Sequence, residues 1–200
     1  EMEGFGSDAL FADALHRPVE TVSKLRFGIN KLLVQSGAGS GEPRYGLFHD
    51  RFKWFVQSKF RTKDQALALH LPLLESCRRG IGEADQYGYR NRSFHLSMLC
   101  AHPGLSEAEQ GDFQKELWEL AFDDRFMKDK FERLGDENAV IIDFRRVFDC
   151  FRPRDGHSPE EQLERARKVT ALAERSIRAI AEVANQAYSP PMRRREMLSA

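Results

Sequence analysis

The sequence predicts an all-α fold, a bundle of seven or eight helices with no substantial sheet. Three observations carry this. Apolar residues recur at spacings of three and four through most of the chain, the period of an amphipathic helix. Two capping boxes, Ser106-Glu107-Ala108-Glu109 and Ser158-Pro159-Glu160-Glu161, open the two longest of those runs. Glycine and proline close the runs at Ser36-Gly37, Gly80-Ile81-Gly82, Pro103-Gly104 and Ser189-Pro190-Pro191.

Taken in order, Ser7 or Asp8 caps a short helix ending near His16. Pro18 falls in the first turn of a second helix, where a missing N–H is tolerated. Val22, Leu25, Ile29, Leu32 and Leu33 give that helix one apolar face as far as Ser36. Gly37 to Pro43 reads as a linker: no strand precedes it, no Gly-Lys-Ser/Thr is present and no helix starts on it, so it lacks the context of a phosphate-cradling loop. Leu47 to Phe60 reads as an aromatic-rich helix, with Phe48, Phe52 and Phe55 on one face and Trp54 off it. Thr62 caps the next helix, through Leu67, Leu71, Leu74 and Cys77, and Pro72 should kink or divide it because it lacks a backbone donor.

After a loop over 80–89, a helix is expected from about Arg90 to Ala101. Ser106 to about Leu134 reads as one helix with two apolar stripes, Phe113, Leu117, Leu120 and Ala121 on one and Trp118, Phe122 and Phe126 on the other. Gly135 to Asn138 is a turn. Ile141, Phe144, Phe148 and Phe151 repeat at helical spacing, with a short strand at Val140-Ile141-Ile142 as the less favoured alternative. The last helix runs from Pro159 to about Tyr188. Leu163, Ala166, Ala173, Ile177, Ile180, Ala184 and Ala187 are almost a heptad repeat, with Thr170 filling the missing step. Glu161–Arg165, Glu164–Lys168 and Glu174–Arg178 are i,i+4 pairs in the favourable order. One helical domain over 1–188, with a flexible loop near 37–46, and a basic tail over 189–200 is the expected organisation.

Thirty-one Lys and Arg balance thirty-one Asp and Glu, so the net charge steers the chain toward neither nucleic acid nor an anionic membrane. No apolar run approaches the roughly 20 residues that span a bilayer, so no membrane insertion is expected. Cys77, Cys100 and Cys150 are odd in number and widely spaced, which points to an intracellular, reducing compartment (cytoplasm, or an organelle if a targeting peptide was removed). Fifteen phenylalanines imply a core of large rings or aromatic anchors for a partner.

Chemistry is concentrated in Arg90-Asn91-Arg92-Ser93-Phe94-His95. A histidine titrates near neutral pH and moves a proton; an arginine holds a phosphate and the charge developing on it. The pattern of arginine, a polar residue, variable residues and histidine on a helix resembles the signature of the HEPN-fold ribonucleases. That resemblance implies a homodimer whose two motifs meet in a basic cleft and cut RNA without metal, the ribose 2′-hydroxyl acting as nucleophile. Under it His95 is the acid/base or 2′-hydroxyl orienter, Arg90 binds the scissile phosphate and Asn91 orients both.

His95, Cys100 and His102 lack the i,i+3 or i,i+4 spacing of helical metal sites, and the acidic residues between Glu107 and Asp124 lack a Glu-x-x-His. No metal or cofactor is expected. Serine nucleophile elbow, Walker, zinc and dinucleotide patterns are all absent from the sequence. The favoured reading is therefore a non-enzymatic helical interaction module, an accessory subunit or adaptor that binds a protein partner or its own copies. Trp118, Phe122, Phe126, Ile177, Ile180, Arg193, Arg194 and Arg195 are its expected contact residues. The HEPN-like ribonuclease, with RNA as its partner, is the alternative, and a helical metal or cofactor carrier is third.

Overall fold

A computed structural model describes residues 7–28, 33–36, 44–47, 63–80, 86–154 and 156–187. Among them are eight helices: α1 (Asp8–Ala14), α2 (Val19–Gly28), α3 (Lys63–Arg78), α4 (Tyr87–Leu99), α5 (Glu107–Phe122), α6 (Asp124–Leu134), α7 (Glu137–Phe151) and α8 (Pro159–Ala187). A two-stranded antiparallel ribbon, β1 (Leu33–Ser36) and β2 (Arg44–Leu47), lies between α2 and α3 in the chain. The protein is an all-α, multi-helix bundle. It divides into two compact units, Glu1–Leu117 and Trp118–Ala200.

In the first unit, the Ser7 hydroxyl accepts from the Leu10 N–H at 3.2 Å and starts α1. His16 takes a left-handed conformation (φ 50°) in the turn to α2. The Asp8 carboxylate accepts from Arg26 Nε at 2.9 Å and from the Ser23 hydroxyl at 2.7 Å, tying α1 to α2. α2 ends at Gly28, not at Ser36. Leu33 to Ser36 is instead extended and pairs with β2, Leu33 opposite Leu47 and Ser36 opposite Arg44. A short apolar run such as Leu32-Leu33-Val34 suits helix and strand equally by spacing alone. Leu47, expected to open a helix, closes β2. The rest of that expected helix, 48–60, the glycine-rich linker and the Thr62 cap lie outside the described residues.

α3 runs from Lys63 to Arg78 with Pro72 inside it, so the proline does not divide it in two. One missing hydrogen bond does not outweigh the burial of its lower face, where Leu73 and Cys77 join Leu10, Ala14 and Tyr87 in a core cluster shared by α1, α3 and α4. Ser76 adds a lock, donating to Asp13 on α1 at 2.6 Å. α4 begins three residues earlier than Arg90, with Gln86 left-handed before it (φ 71°). Tyr87 and Tyr89, read as loop, are buried, and that burial draws them into the helix.

The Ser106 capping box forms: Glu109 Oε2 accepts from the Ser106 N–H at 2.8 Å, and Ser106 Oγ from the Glu109 N–H at 3.3 Å. The helix expected over 106–134 is two helices. Asp123 breaks it by accepting from the Phe126 N–H at 2.9 Å, which makes it the N-cap of α6.

The second unit packs α6, α7 and α8. Gly135, left-handed at φ 61°, ends α6, and Asp136 caps α7. Val140 to Ile142 is helical, not a strand. Met127 and Phe131 of α6, Val140, Phe144, Val147 and Phe151 of α7, and Leu172, Ala179 and Val183 of α8 are buried. The Ser158 box opens α8 as expected, Glu161 Oε2 accepting from the Ser158 N–H at 2.7 Å.

Candidate functional site

Tyr87, Asn91 and His95 stand four residues apart and form one buried stripe of α4. His95 is 0% exposed. Its Nε2 lies 3.0 Å from the Tyr87 hydroxyl, and its Nδ1 lies 2.9 Å from Nδ1 of His70 on α3. Phe94 sits edge-on to both imidazoles, with ring centroids 5.6 Å from His70 and 5.5 Å from His95. His70 is itself buried. That burial, with the nearby charge of His102, pushes its pKa down to about 4, so the imidazole is neutral at pH 7.

Two neutral tautomer sets satisfy this chain of groups. Tyr87 donates to His95 Nε2 and His95 Nδ1–H donates to His70, or every donor reverses. The cluster can pass a proton internally, yet both ring nitrogens of His95 and Nδ1 of His70 are taken up by partners in the interior. Asn91 is buried beside it and donates to the Tyr87 carbonyl at 3.3 Å, while its Oδ1 has no partner among the described residues.

Arg92 of the hexapeptide is engaged elsewhere. Arg92 Nη2 donates to Glu116 Oε1 at 3.0 Å, and Arg78 grips the same carboxylate through Nε at 3.1 Å and through Nη2. Burial alone would raise the Glu116 pKa, but the hydrogen bonds from Arg78 and Arg92 outweigh it and hold the group below the ordinary carboxylate range. This carboxylate clamps α3, α4 and the first part of α5. Arg90 is half-buried. The structure thus brings His95 and Asn91 together with two residues sequence reasoning did not link to them, His70 and Tyr87. The i, i+4, i+8 spacing of Tyr87, Asn91 and His95 was a readable signal for Tyr87. His70, 25 residues away on another helix, had none.

A shallow depression at the α1–α2 corner, around Asp13, His16 and Arg17, carries no such cluster. Among the described residues no group of three or more His, Cys, Asp or Glu side chains could hold a metal ion, and no helix is long and apolar enough to cross a membrane.

The expected contact residues divide. Trp118 stacks on Phe122 with centroids 4.7 Å apart and meets Phe151 edge-on at 5.2 Å, so its ring is engaged within the second unit. Phe126 is half-buried and Phe122 lies at the edge of exposure. Arg193, Arg194 and Arg195 lie outside the described residues.

On α8 the outcome differs from the sequence pattern. The face packed into the unit carries Leu172, Ala179 and Val183. The near-heptad stripe is turned away: Ile177 is 69% exposed and Leu163 54%, Ala166 and Thr170 are exposed, and Ala173, Ile180 and Ala184 are half-buried. α7 shows the same offset on a smaller scale, with Val140, Phe144, Val147 and Phe151 buried and Ile141 exposed. The chain matches no protein-family model, no curated protein and no solved structure.

Proposed function

We propose that this chain is a non-enzymatic protein–protein interaction module whose docking surface is the outward stripe of α8. One observation carries the reading: a heptad-spaced apolar stripe lies off the buried face of α8, with Leu163 and Ile177 largely exposed and Ala173, Ile180 and Ala184 half-buried at its inner edge. A helix needs only one apolar face to pack into its own domain, and a second regular face has a use when another helix covers it. In this reading Asn91 and His95 hold the first unit together, because His95 has no exposed atom to present to a substrate.

The test compares native mass for the wild type and Ile177→Lys, each purified from the cells that make it. A stoichiometric assembly that the substitution dissolves, with helicity unchanged, supports the reading. A chain that is monomeric in both forms, with no associated protein, overturns it.

A further inference from the structure

The outward stripe of α8 has the geometry of a coiled-coil seam. Leu163, Thr170 and Ile177 occupy one set of seven-residue steps, and Ala166, Ala173 and Ile180 the other. Leu163 and Ile177 are about 21 Å apart along the axis, so the seam spans a full helix–helix contact and not a point. The positions on its solvent edge are Arg167 and Glu174, one heptad apart and opposite in charge. Both side chains are exposed, and neither makes an ion pair with a described residue. Glu164 and Lys168, on the same helix, pair with each other at 2.8 Å instead.

We propose that this seam receives α8 of a second copy of the chain, antiparallel, about a two-fold axis passing between Thr170 and Ala173. The proposal rests on the interaction reading above and names its partner. Two features select this occupant and this direction. In antiparallel coiled coils like edges face each other, so the axis sets Arg167 against Glu174 of the partner subunit and repeats that pair on the other side. A parallel pair would instead set Arg167 against an uncharged Gln162 and Glu174 against Val169.

The second feature is volume. The antiparallel register opposes Leu163 to Ile180, Ala166 to Ile177, and Thr170 to Ala173, so each isoleucine meets a residue that leaves it room or completes its layer. A parallel register stacks alanine on alanine at two layers, Ala166 and Ala173, which alternate with layers of leucine, threonine and isoleucine, and leaves voids there. Thr170 and Ala173 at the axis let the backbones approach closely.

Sedimentation of the full chain under reducing conditions tests this. The wild type is expected to shift from one chain to two between about 1 and 300 µM. Ile177→Lys buries a charge in the seam and should weaken the pairing about a hundredfold. Arg167→Glu sets Glu against Glu, Glu174→Arg sets Arg against Arg, and each should weaken it about tenfold. The double variant Arg167→Glu/Glu174→Arg restores opposite charges and should return to within about threefold of wild type. All three positions are exposed, and circular dichroism checks that each of the four variants keeps its helices.

A wild type that stays one chain across that range overturns self-pairing. So does a dimer indifferent to Ile177→Lys, or a double variant no better than the singles. A monomer that nonetheless forms a defined complex with a different protein, lost in Ile177→Lys, overturns self-pairing alone and leaves the interaction reading standing. A monomer with no such complex overturns both.

Discussion

Nδ1 of His70 and Nδ1 of His95 face each other at 2.9 Å inside the first unit. Two protonated nitrogens cannot share that gap, so the native state admits at most one proton between them. Tyr87 closes the other end of His95 at 3.0 Å, leaving that ring satisfied without solvent. Burial keeps His70 neutral, and the pair joins α3 to α4 through a directional contact in the interior.

Stability should fall as the solution is acidified through the histidine range. His70 has a folded pKa of about 4, below the ordinary 6.5, so its neutral form is favoured by folding. The unfolded chain binds the extra proton first. The contribution is complete above pH 6.5, declines as the pH drops to 4 and is gone below it. With His70 only 7% exposed, this shift corresponds to about 3 kcal/mol. Urea midpoints across that window should show the slope, and His70→Gln, uncharged throughout, should flatten it. Equal slopes in wild type and variant would remove His70 as the cause.

The helices were legible where local signals agree. Ser7, Ser106 and Ser158 each act within four residues, and each cap forms as its sequence predicts. The misread elements depend on competition between distant terms. Leu33 to Ser36 is extended only because Arg44 to Leu47 supplies a partner strand, and Asp123 caps a new helix where apolar spacing alone favours continuation. For the candidate site, periodicity located the α8 stripe but could not say which of two apolar faces the domain would bury. Leu172, Ala179 and Val183 won that place over Leu163 and Ile177 through tertiary packing. The His70–His95 contact was invisible for the same reason, since it spans two helices.

Pro72 gives a test of how α3 survives its own sequence. Proline leaves the Ala68 carbonyl without its helical donor, at about 3 kcal/mol relative to alanine in a helix interior. Its rigidity in the unfolded chain returns up to about 1 kcal/mol of that. Pro72→Ala should therefore stabilise the first unit by about 2 kcal/mol, seen as a higher urea midpoint and slower amide exchange across α3. A lower midpoint would show that the ring packs too well to lose.

Glu116 acts in a different pH window from His70. Its folded pKa lies below the ordinary 4.5 because Arg78 and Arg92 bind the carboxylate, so its contribution is present above 4.5 and is lost as the pH falls through the depressed value. Glu116→Gln keeps the shape and removes the charge. It should lower stability at pH 7 by about 1–2 kcal/mol and abolish the part of the acid limb below pH 4.5, leaving the His70 limb intact. A variant that lost the upper limb instead would assign the two windows wrongly.

Lys130 and Asp143 make the most deeply buried ion pair among the described residues. Nζ lies 2.5 Å from Oδ2, and the side chains are 1% and 2% exposed. Arg146 reaches the other carboxylate oxygen at 3.5 Å, too long to replace the lysine. Lys130→Met takes the ammonium away from a buried carboxylate and should cost about 3–5 kcal/mol, and Asp143→Leu should cost a similar amount by taking the carboxylate away from a buried ammonium. The double variant strands neither charge and fills the volume with apolar atoms, so it should recover most of the loss, with a coupling of several kcal/mol between the two sites. Trp118 packs on Phe151 in the same unit, and its fluorescence in a Trp54→Phe background follows the unfolding of that unit alone. Additive losses in the double variant would mean that Lys130 and Asp143 act through separate partners and that the 2.5 Å contact does not couple α6 to α7.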